Sequence, residues 1–360
     1  MPDKRLLPHM YATNDLSQTT RWTLRATARS AVAHLLFRTL ARRLQHISHG
    51  RALILAYHRI DTRHYLRSNL LMPGMYTSVE AFTSHLEWLR TQYQMVSLRD
   101  IVARIRQKTA WDAPCCVITF DDGWHDNLEY AVPVLRRLKI PATIFVVGER
   151  IGVSEPDDFH LCFELLKRGK MPSLASVGCA EIDRIIGERT DDFVRTNIEV
   201  LRVLRTLPLD RYTVVLACLR TVYRALPDVA AVGAAYRTLS WDDLRKIQEA
   251  GIDLGYHSRG HDILSRLAES ELTAAVTLPD EAARQGIALQ RMFCYPDGQH
   301  NDAVIAQLQE RGYAGAVTLI PGLNDIDTDP YRLHRFNVHE GGAASAAELC
   351  FMLMKGRALY

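Results

Sequence analysis

Apolar residues occur along most of the chain in two patterns that alternate with each other. Short continuous runs, rich in β-branched residues and bounded by polar turns, predict buried strands. Longer stretches between them carry apolar residues at helical spacing. The predicted strands cover residues 52–57, 95–98, 115–120, 142–147, 252–256, 292–295 and 314–319. Strands that alternate with helices in this way predict an α/β fold with a parallel sheet, here closed into a barrel.

The alternation is interrupted between residues 151 and 236. Four consecutive stretches there have helical spacing, over residues 159–167, 179–186, 193–204 and 212–226. This helical insertion follows a predicted strand, and the loops at the carboxyl ends of barrel strands build active sites. The insertion is therefore either a lid or specificity subdomain, or a structural elaboration without a role at the site. The predicted organisation is an N-terminal segment at residues 1–50, a barrel at 51–345 and a C-terminal helix at 346–360.

The N-terminal segment begins with a polar tail at residues 1–20, which we expect to be disordered. Residues 21–46 then predict a helix, in which apolar residues recur at Leu24, Ala28, Ala31, Leu35, Leu36, Leu40 and Leu44. Six arginines lie in this stretch, from Arg21 to Arg43, and no acidic residue interrupts them. A basic amphipathic helix is a candidate for peripheral membrane contact. The alternative is that it packs on the barrel and exposes its arginines to water.

The composition is that of an ordinary globular enzyme, and 360 residues can bury a large core. A formal net charge of +3 is too small to indicate nucleic-acid binding, and none is expected. Seven cysteines, odd in number and scattered, favour free thiols in a reducing compartment. No stretch has the pattern of a secretory signal or the length of a membrane span. We therefore expect a cytoplasmic protein, or one bound peripherally to the inner face of the membrane.

Chemically suggestive residues follow two of the predicted strands. Asp121 and Asp122 come directly after residues 115–120, and two adjacent carboxylates repel each other unless a cation lies between them. On its own, Asp-Asp-Gly is equally typical of a turn. His257 and His261 follow the strand at residues 252–256. Two imidazoles and one carboxylate form a metal site that leaves positions open for water and substrate.

Three segments of the chain resemble motifs of the polysaccharide deacetylases, the NodB-homology group of carbohydrate esterase family 4. They are Thr119-Phe120-Asp121-Asp122-Gly123, His257-Ser258-Arg259-Gly260-His261 and Phe293-Cys294-Tyr295-Pro296-Asp297-Gly298. The resemblance extends over residues 51–338, apart from a stretch in the middle. It implies a distorted (β/α)7-type barrel and metal-dependent hydrolysis of an acylated sugar.

The resemblance also implies roles for individual residues. Asp122, His257 and His261 would bind one divalent metal ion, with Zn2+ the best match to these ligands and Co2+, Ni2+ or Fe2+ as alternatives. Asp121 would be the general base that takes a proton from the attacking water. The backbone N–H of Tyr295 would complete an oxyanion hole.

The chain departs from the family pattern in two places. Cys294 stands where the third motif usually has an arginine that braces the base. A thiol cannot form that charge-assisted pair, so Arg335 is the proposed substitute, with a surface or structural role as the alternative. The acidic–tryptophan motif that usually lies near the last strand is also missing, and residues 318–324 stand in its place.

The family's general acid is a histidine that closes an apolar strand near the C-terminus. In this chain the strand of that type is residues 52–57, which His58 follows, so a circularly permuted order is implied. We therefore assign the acid role to His58. His58 is otherwise a strand-end residue without chemistry, and His334 and His339 are the alternative acids.

These residues predict a metal-dependent hydrolase that removes an acetyl or other acyl group from an N-acetylated amino sugar. A cytoplasmic location favours a biosynthetic intermediate over a finished polymer, and the basic helix favours a lipid-linked one. Hydrolysis of a sugar O-acetyl ester would use the same apparatus. A third interpretation is a carbohydrate-binding protein with little activity that has kept the fold. The substrate, the metal and the oligomeric state are not determined by the sequence.

Overall fold

The computed structural model describes residues 16–69, 71–72, 74–188 and 192–358, with side chains from residue 27 to residue 356. The chain divides into two compact units. The larger, here called the barrel unit, comprises Arg29–Leu70, Met75–Val153 and Thr238–Tyr360. The smaller, here called the helical unit, contains Ser154–Arg237, which corresponds closely to the predicted insertion.

Each predicted strand overlaps a strand of the barrel unit. The strands are β1 (Ala52–Tyr57), β2 (Arg59–Asp61), β3 (Tyr76–Ser78), β4 (Gln94–Met95), β5 (Cys115–Phe120), β6 (Ala142–Val146), β7 (Asp253–Tyr256), β8 (Leu289–Cys294), β9 (Gly315–Val317) and β10 (Phe336–Asn337). The pattern missed β2, β3 and β10, which have only two or three residues each and so show no periodicity.

Seven of these strands form a parallel sheet in the order β10-β1-β5-β6-β7-β8-β9, while β4 pairs with the start of β5. The segment that leads into β10 also contacts the other end of this order, through a parallel bridge between Val317 and Leu333. In addition, the Thr318 N–H donates to the Leu333 carbonyl at 2.8 Å. The sheet therefore curls round on itself, and the predicted distorted α/β barrel is confirmed.

Helices connect most of the strands. The helices are α1 (Leu16–Ile47), α2 (Arg63–Ser68), α3 (Val79–Gln92), α4 (Leu98–Gln107), α5 (Val132–Leu138), α6 (Asp158–Lys167), α7 (Ala180–Glu188), α8 (Phe193–Leu204), α9 (Leu209–Arg224), α10 (Val229–Ala235), α11 (Trp241–Glu249), α12 (Glu269–Val276), α13 (Asp280–Arg284), α14 (Asp302–Glu310) and α15 (Ala346–Ala358). Capping boxes begin α4 at Ser97 and α11 at Ser240, because each serine accepts from the backbone N–H three residues later.

Three helix predictions need correction. The helical spacing of residues 271–284 predicts one helix, but the structure has two, α12 and α13, because Pro279 cannot continue the first and occupies the position before the second. The spacing of residues 127–138 likewise predicts one α-helix, but the segment starts as a π-helical turn at Asn127–Ala131 and becomes α-helical at Val132, next to Pro133. Helix α1 begins at Leu16, so the predicted disorder is wrong for residues 16–20, and residues 1–15 lie outside the described residues.

The helical unit has a core of its own. Phe163 and Val194, from α6 and α8, form a small apolar cluster with Met72. Glu164 is buried beside them and accepts hydrogen bonds from Lys167, Arg168 and the Tyr236 hydroxyl. A buried carboxylate with this many donors stays ionised, so the unit is held together by polar contacts as well as apolar ones. Its role as a lid stays a prediction.

Candidate active site

The predicted site residues lie where parallel strands end. His58 follows β1, Asp121 and Asp122 follow β5, and His257 follows β7. Parallel strands place their carboxyl ends at one edge of the sheet, so these side chains converge there. The backbone of Asp122 has φ 72° and that of His261 has φ 64°, a left-handed conformation that is uncommon for residues other than glycine. Such conformations concentrate at functional sites, where the surrounding structure holds them in place.

Asp122, His257 and His261 form a cluster with the geometry of a metal site. Their nearest ligand atoms all lie within 4.8 Å of one another. Asp122 Oδ1 is 3.5 Å from His257 Nε2 and 3.6 Å from His261 Nε2. Ligand atoms placed tetrahedrally about 2.1 Å from a zinc ion would be about 3.4 Å apart, so these residues fit a divalent ion with little movement. Asp122 and His257 are buried and His261 is partly exposed, which leaves one side of the cluster open.

The electrostatics of the cluster favour a cation. Burial raises the pKa of the Asp122 carboxyl, but hydrogen bonding to His257 and the charges of neighbouring histidines outweigh it and hold the pKa well below its usual range. Burial lowers the pKa of His257, but Cys294 and Asp122 raise it well above its usual value. The site therefore stabilises positive charge, whether as a proton on His257 or as a bound metal ion.

Further hydrogen bonds orient two of the three candidate ligand side chains, those of His257 and Asp122. His257 Nδ1 donates to the Cys294 carbonyl at 2.7 Å, which leaves Nε2 directed at Asp122. The other carboxylate oxygen of Asp122 accepts from the Trp124 indole N–H at 3.0 Å. Trp124 is fully buried, and the Arg59 guanidinium lies 4.6 Å from the centre of its ring. The sequence analysis did not identify Trp124, although its position two residues after a predicted metal ligand could have indicated a role at the site.

Trp124→Phe should weaken metal binding about 10- to 100-fold, the usual cost of losing a group that orients a ligand. Asp122 loses its N–H donor, and the smaller phenyl ring also leaves a cavity, which the control variant must reproduce. Affinity is measured by competition with a chromogenic chelator. Trp111→Phe is the matched control, because Trp111 is also buried and its N–H has no hydrogen-bond partner among the described residues. Equal affinities for the two variants would contradict an orienting role for Trp124.

Asp121 lies beside the cluster in a different environment. It is buried, and Arg335 donates to both of its carboxylate oxygens, to Oδ1 from Nη1 and to Oδ2 from Nη2, each at 2.7 Å. Burial alone raises the pKa of Asp121, but the Arg335 guanidinium outweighs it and holds the pKa below its usual range. Two adjacent carboxylates thus have separate partners, one the histidines and the other an arginine.

The Arg335 side chain is completely buried, and each of its three guanidinium nitrogens donates at least one hydrogen bond. It also donates to Thr119 Oγ1 and to the Thr318 carbonyl, each at 2.9 Å, and its Nη2 lies 3.0 Å from Cys294 Sγ. The structure therefore places Arg335 where the prediction needed a brace for the base. The small side chain of Cys294 leaves room for this guanidinium. Arg335 directly precedes β10 in the chain.

A second group of donors, Asp121, His257 and Cys294, is compact enough for a metal as well. Both oxygens of Asp121 already accept from Arg335, however, and the guanidinium also lies against the Cys294 sulfur. A cation placed there would face the positive charge of Arg335. The group of Asp122, His257 and His261 is thus the better metal site of the two.

Of the three predicted acids, His58 is the one that lies near Asp121. Its Nε2 is 4.0 Å from Asp121 Oδ2, and its buried Nδ1 has no hydrogen-bond partner among the described residues. His334 has no described contact with Asp121, and burial lowers its pKa. Burial, with a smaller contribution from His58, also lowers the pKa of His339 to about 4. Neither is as well placed as His58.

The Tyr295 backbone N–H has a different partner from the predicted one. Its backbone N–H donates to the Val317 carbonyl at 3.2 Å, which continues the ladder between β8 and β9 by one residue. Its hydroxyl donates to the Tyr331 carbonyl, and His300 stacks on its ring. The N–H assigned to an oxyanion hole is therefore already used within the sheet, and that assignment to Tyr295 requires correction.

The fold and the site define the protein as a distorted α/β barrel with a candidate Asp/His metal site at its carboxyl edge. A sequence profile described as polysaccharide deacetylase matches residues 108–175 and 206–316. YxkH of Bacillus subtilis (strain 168), named as a polysaccharide deacetylase, is 23% identical over 298 residues, which are 81% of this chain and 73% of YxkH. The chain belongs to the polysaccharide deacetylase family, in its NodB-like group.

Other similar proteins agree with this assignment. The poly-beta-1,6-N-acetyl-D-glucosamine N-deacetylase of Staphylococcus aureus (strain N315) is 23% identical over 145 residues, which are 37% of this chain and only 47% of that protein. Among solved structures, the Streptococcus pyogenes deacetylase PplD has a TM-score of 0.52 at 15% identity, over 84% of this chain and 98% of PplD. A de-N-acetylase from Aggregatibacter actinomycetemcomitans has a TM-score of 0.51 at 16% identity, over 83% and 99%. These structures share the fold.

Proposed function

We propose that this protein is a metal-dependent de-N-acetylase, which hydrolyses the acetamide of an N-acetylated amino sugar. The observation that carries the proposal is the separation of the two adjacent carboxylates. Asp122 faces two imidazoles, as a metal ligand would, while Asp121 is held ionised by Arg335 without belonging to that cluster. A structural turn needs neither arrangement, and both are costly to bury.

Asp122, His257 and His261 would hold the ion, and zinc suits this donor set best. When bound, a divalent ion polarises the acyl carbonyl and lowers the pKa of a water molecule. Asp121 accepts a proton from the attacking water, and Arg335 keeps Asp121 ionised and oriented for that step. His58, whose Nε2 lies 4.0 Å from Asp121 Oδ2, supplies a proton to the departing amine nitrogen. The products are acetate and a free amino sugar.

The substrate is proposed from chemistry and from relatives. The Staphylococcus aureus relative is named for poly-beta-1,6-N-acetyl-D-glucosamine, so a glycan that contains N-acetylglucosamine is the first substrate to examine. We also propose that the protein works in the cytoplasm, which favours an intermediate of glycan, glycolipid or glycosylated-metabolite synthesis. Its free cysteines agree with a reducing compartment.

The test is metal content and acetate release on one purified sample. We expect about one divalent ion per chain, acetate from N-acetylated sugars, loss of release on chelation, and recovery when zinc is returned. Release from O-acetylated sugars alone would show a carbohydrate esterase instead. Binding of glycans by the metal-loaded protein, without release from either kind of substrate, would favour the carbohydrate-binding interpretation.

A further inference from the structure

Helix α1 has one face packed on the barrel and one face open. From Arg29 onward the helix belongs to the barrel unit. Ala33 and Leu44 are buried, and Phe37 and Leu40 pack against the same apolar core as β1 and β5. The alternative given for this helix, that it packs on the barrel, therefore holds for this face.

The open face is apolar in its first half. Val32 and Leu36 are each 42% exposed, and Leu35 is 83% exposed. Residues three and four apart lie on the same side of a helix, so the three form one patch. Among the described residues only two other large apolar side chains are exposed, Leu209 and Val214, and both lie in the helical unit. Leu35 and Leu36, which the spacing grouped with the packed face, thus belong to the open one.

The open face is basic in its second half. Arg38, Arg42 and Arg43 are exposed, and none of them has an ion pair or a hydrogen bond among the described residues. Other surface arginines differ in this respect, since Arg137 pairs with Glu87 and Arg259 with Glu149. The helix contains no acidic residue, so its own sequence supplies no countercharge.

We propose that this surface binds a lipid bilayer that contains anionic lipids. The surface is defined by Val32, Leu35, Leu36, Arg38, Arg42 and Arg43, and is called the α1 outer face. Aliphatic side chains beside unneutralised arginines fit the boundary between acyl chains and negatively charged head groups. A second copy of the chain fits less well. Paired across a twofold axis, the same face would place the arginines of one copy against either the arginines or the apolar side chains of the other, and neither arrangement neutralises them.

The position of α1 connects this surface with the candidate active site. Arg29, one turn before Val32, donates to the Gly341 carbonyl at 2.7 Å, in the loop that follows β10. That loop lies at the carboxyl edge of the sheet, where His58 and Asp121 also lie. The apolar half of the α1 outer face, which begins one turn after Arg29, therefore lies towards this edge, whereas the basic half lies towards the amino end of β1, which starts at Ala52. If the proposed deacetylation is correct, this favours an acetylated sugar carried on a lipid.

Co-sedimentation with vesicles tests the binding. We expect the full chain to sediment with phosphatidylcholine vesicles that contain about 30% phosphatidylglycerol, and not with pure phosphatidylcholine. Raising the salt from about 0.1 M to about 1 M should weaken binding strongly. Leu35→Ser should weaken it about tenfold or more, because an exposed leucine no longer enters the bilayer. The triple variant Arg38→Gln, Arg42→Gln, Arg43→Gln should weaken it about 100-fold.

Matched control variants test whether vesicle binding depends on the α1 outer face. Val214→Ser removes an exposed aliphatic residue elsewhere, and Arg90→Gln, Arg136→Gln, Arg202→Gln removes the same total charge from exposed positions outside α1. Both should bind like the unmodified protein. Equal loss in these controls, or no vesicle binding at all, would overturn the proposal. A concentration-dependent dimer that Leu35→Ser dissociates, without vesicle binding, would assign the face to a second copy.

The same samples separate this inference from the proposed function. Leu35→Ser lies outside the candidate site and should release acetate from a soluble substrate at the unmodified rate. Vesicle binding without acetate release would contradict the deacetylase proposal alone. Acetate release without vesicle binding would contradict the membrane proposal alone.

Discussion

Asp121→Asn is expected to lower acetate release by about 10²- to 10⁴-fold while the protein keeps its metal ion. Asparagine has nearly the same shape but cannot take a proton from water. The proposed metal ligands Asp122, His257 and His261 are unchanged, so metal content should stay near that of the unmodified protein. The measurements are kcat for acetate release and metal content on the same preparation.

The control for this variant must also lose a buried aspartate–arginine pair. Asp126→Asn is suitable, because Asp126 is buried and accepts from Arg59 Nε at 2.8 Å. Both variants should lose stability, but Asp126→Asn should keep most of the activity. If Asp121→Asn retained more than about a tenth of the activity, the general base would have to be another group.

Arg335→Met is expected to lower the free energy of unfolding by about 3–5 kcal/mol near neutral pH. The substitution leaves the Asp121 carboxylate buried without its counter-charge and removes the three other contacts of the guanidinium group, with Thr119, Thr318 and Cys294. Arg335 lowers the pKa of Asp121 below the unfolded value. The pair therefore stabilises the fold above the unfolded pKa, and this contribution is lost as the pH falls through the folded pKa. Urea unfolding at neutral and acidic pH measures the difference, which should shrink in acid.

A double variant separates charge burial from simple loss of packing. Asp121→Asn together with Arg335→Met removes both charges, so it should be more stable than Arg335→Met alone. Arg335→Lys keeps a positive charge but cannot donate to both carboxylate oxygens in parallel. Its stability should therefore lie between that of Arg335→Met and that of the unmodified protein. A loss below about 1 kcal/mol for Arg335→Met, or no recovery in the double variant, would mean that this pair does not hold the site together.

The residues that sequence patterns predict well here share one property: each directly follows a buried strand. Asp121, Asp122 and His257 do so, and parallel strands bring such positions together without further information. Arg335 was proposed only because a family arginine was missing. Its partners come from three separate segments, at Thr119, Cys294 and Thr318, and no periodicity reports such long-range convergence.

The errors have physical causes of the same kind. The Tyr295 N–H was assigned to an oxyanion hole from the family resemblance, whereas a ladder bond to the Val317 carbonyl, one residue beyond β8, uses that group. The open side of α1 was misjudged because spacing shows that apolar residues share a helix surface, not which of them a neighbour covers. Pro279 can be read from the sequence, and the predicted helix should have ended before it, because proline cannot continue a helix.

The pairing of Asp121 with Arg335 has a consequence for synthesis on the ribosome. The two residues are 214 positions apart in the chain. At the usual rates of translation, about 10–40 s pass between their appearance. During that interval the carboxyl edge of β5 carries an unneutralised carboxylate, which has to stay hydrated. The Asp121–Arg335 pair, which holds the proposed general base, can therefore form only after all strands from β1 to β9 have been synthesised.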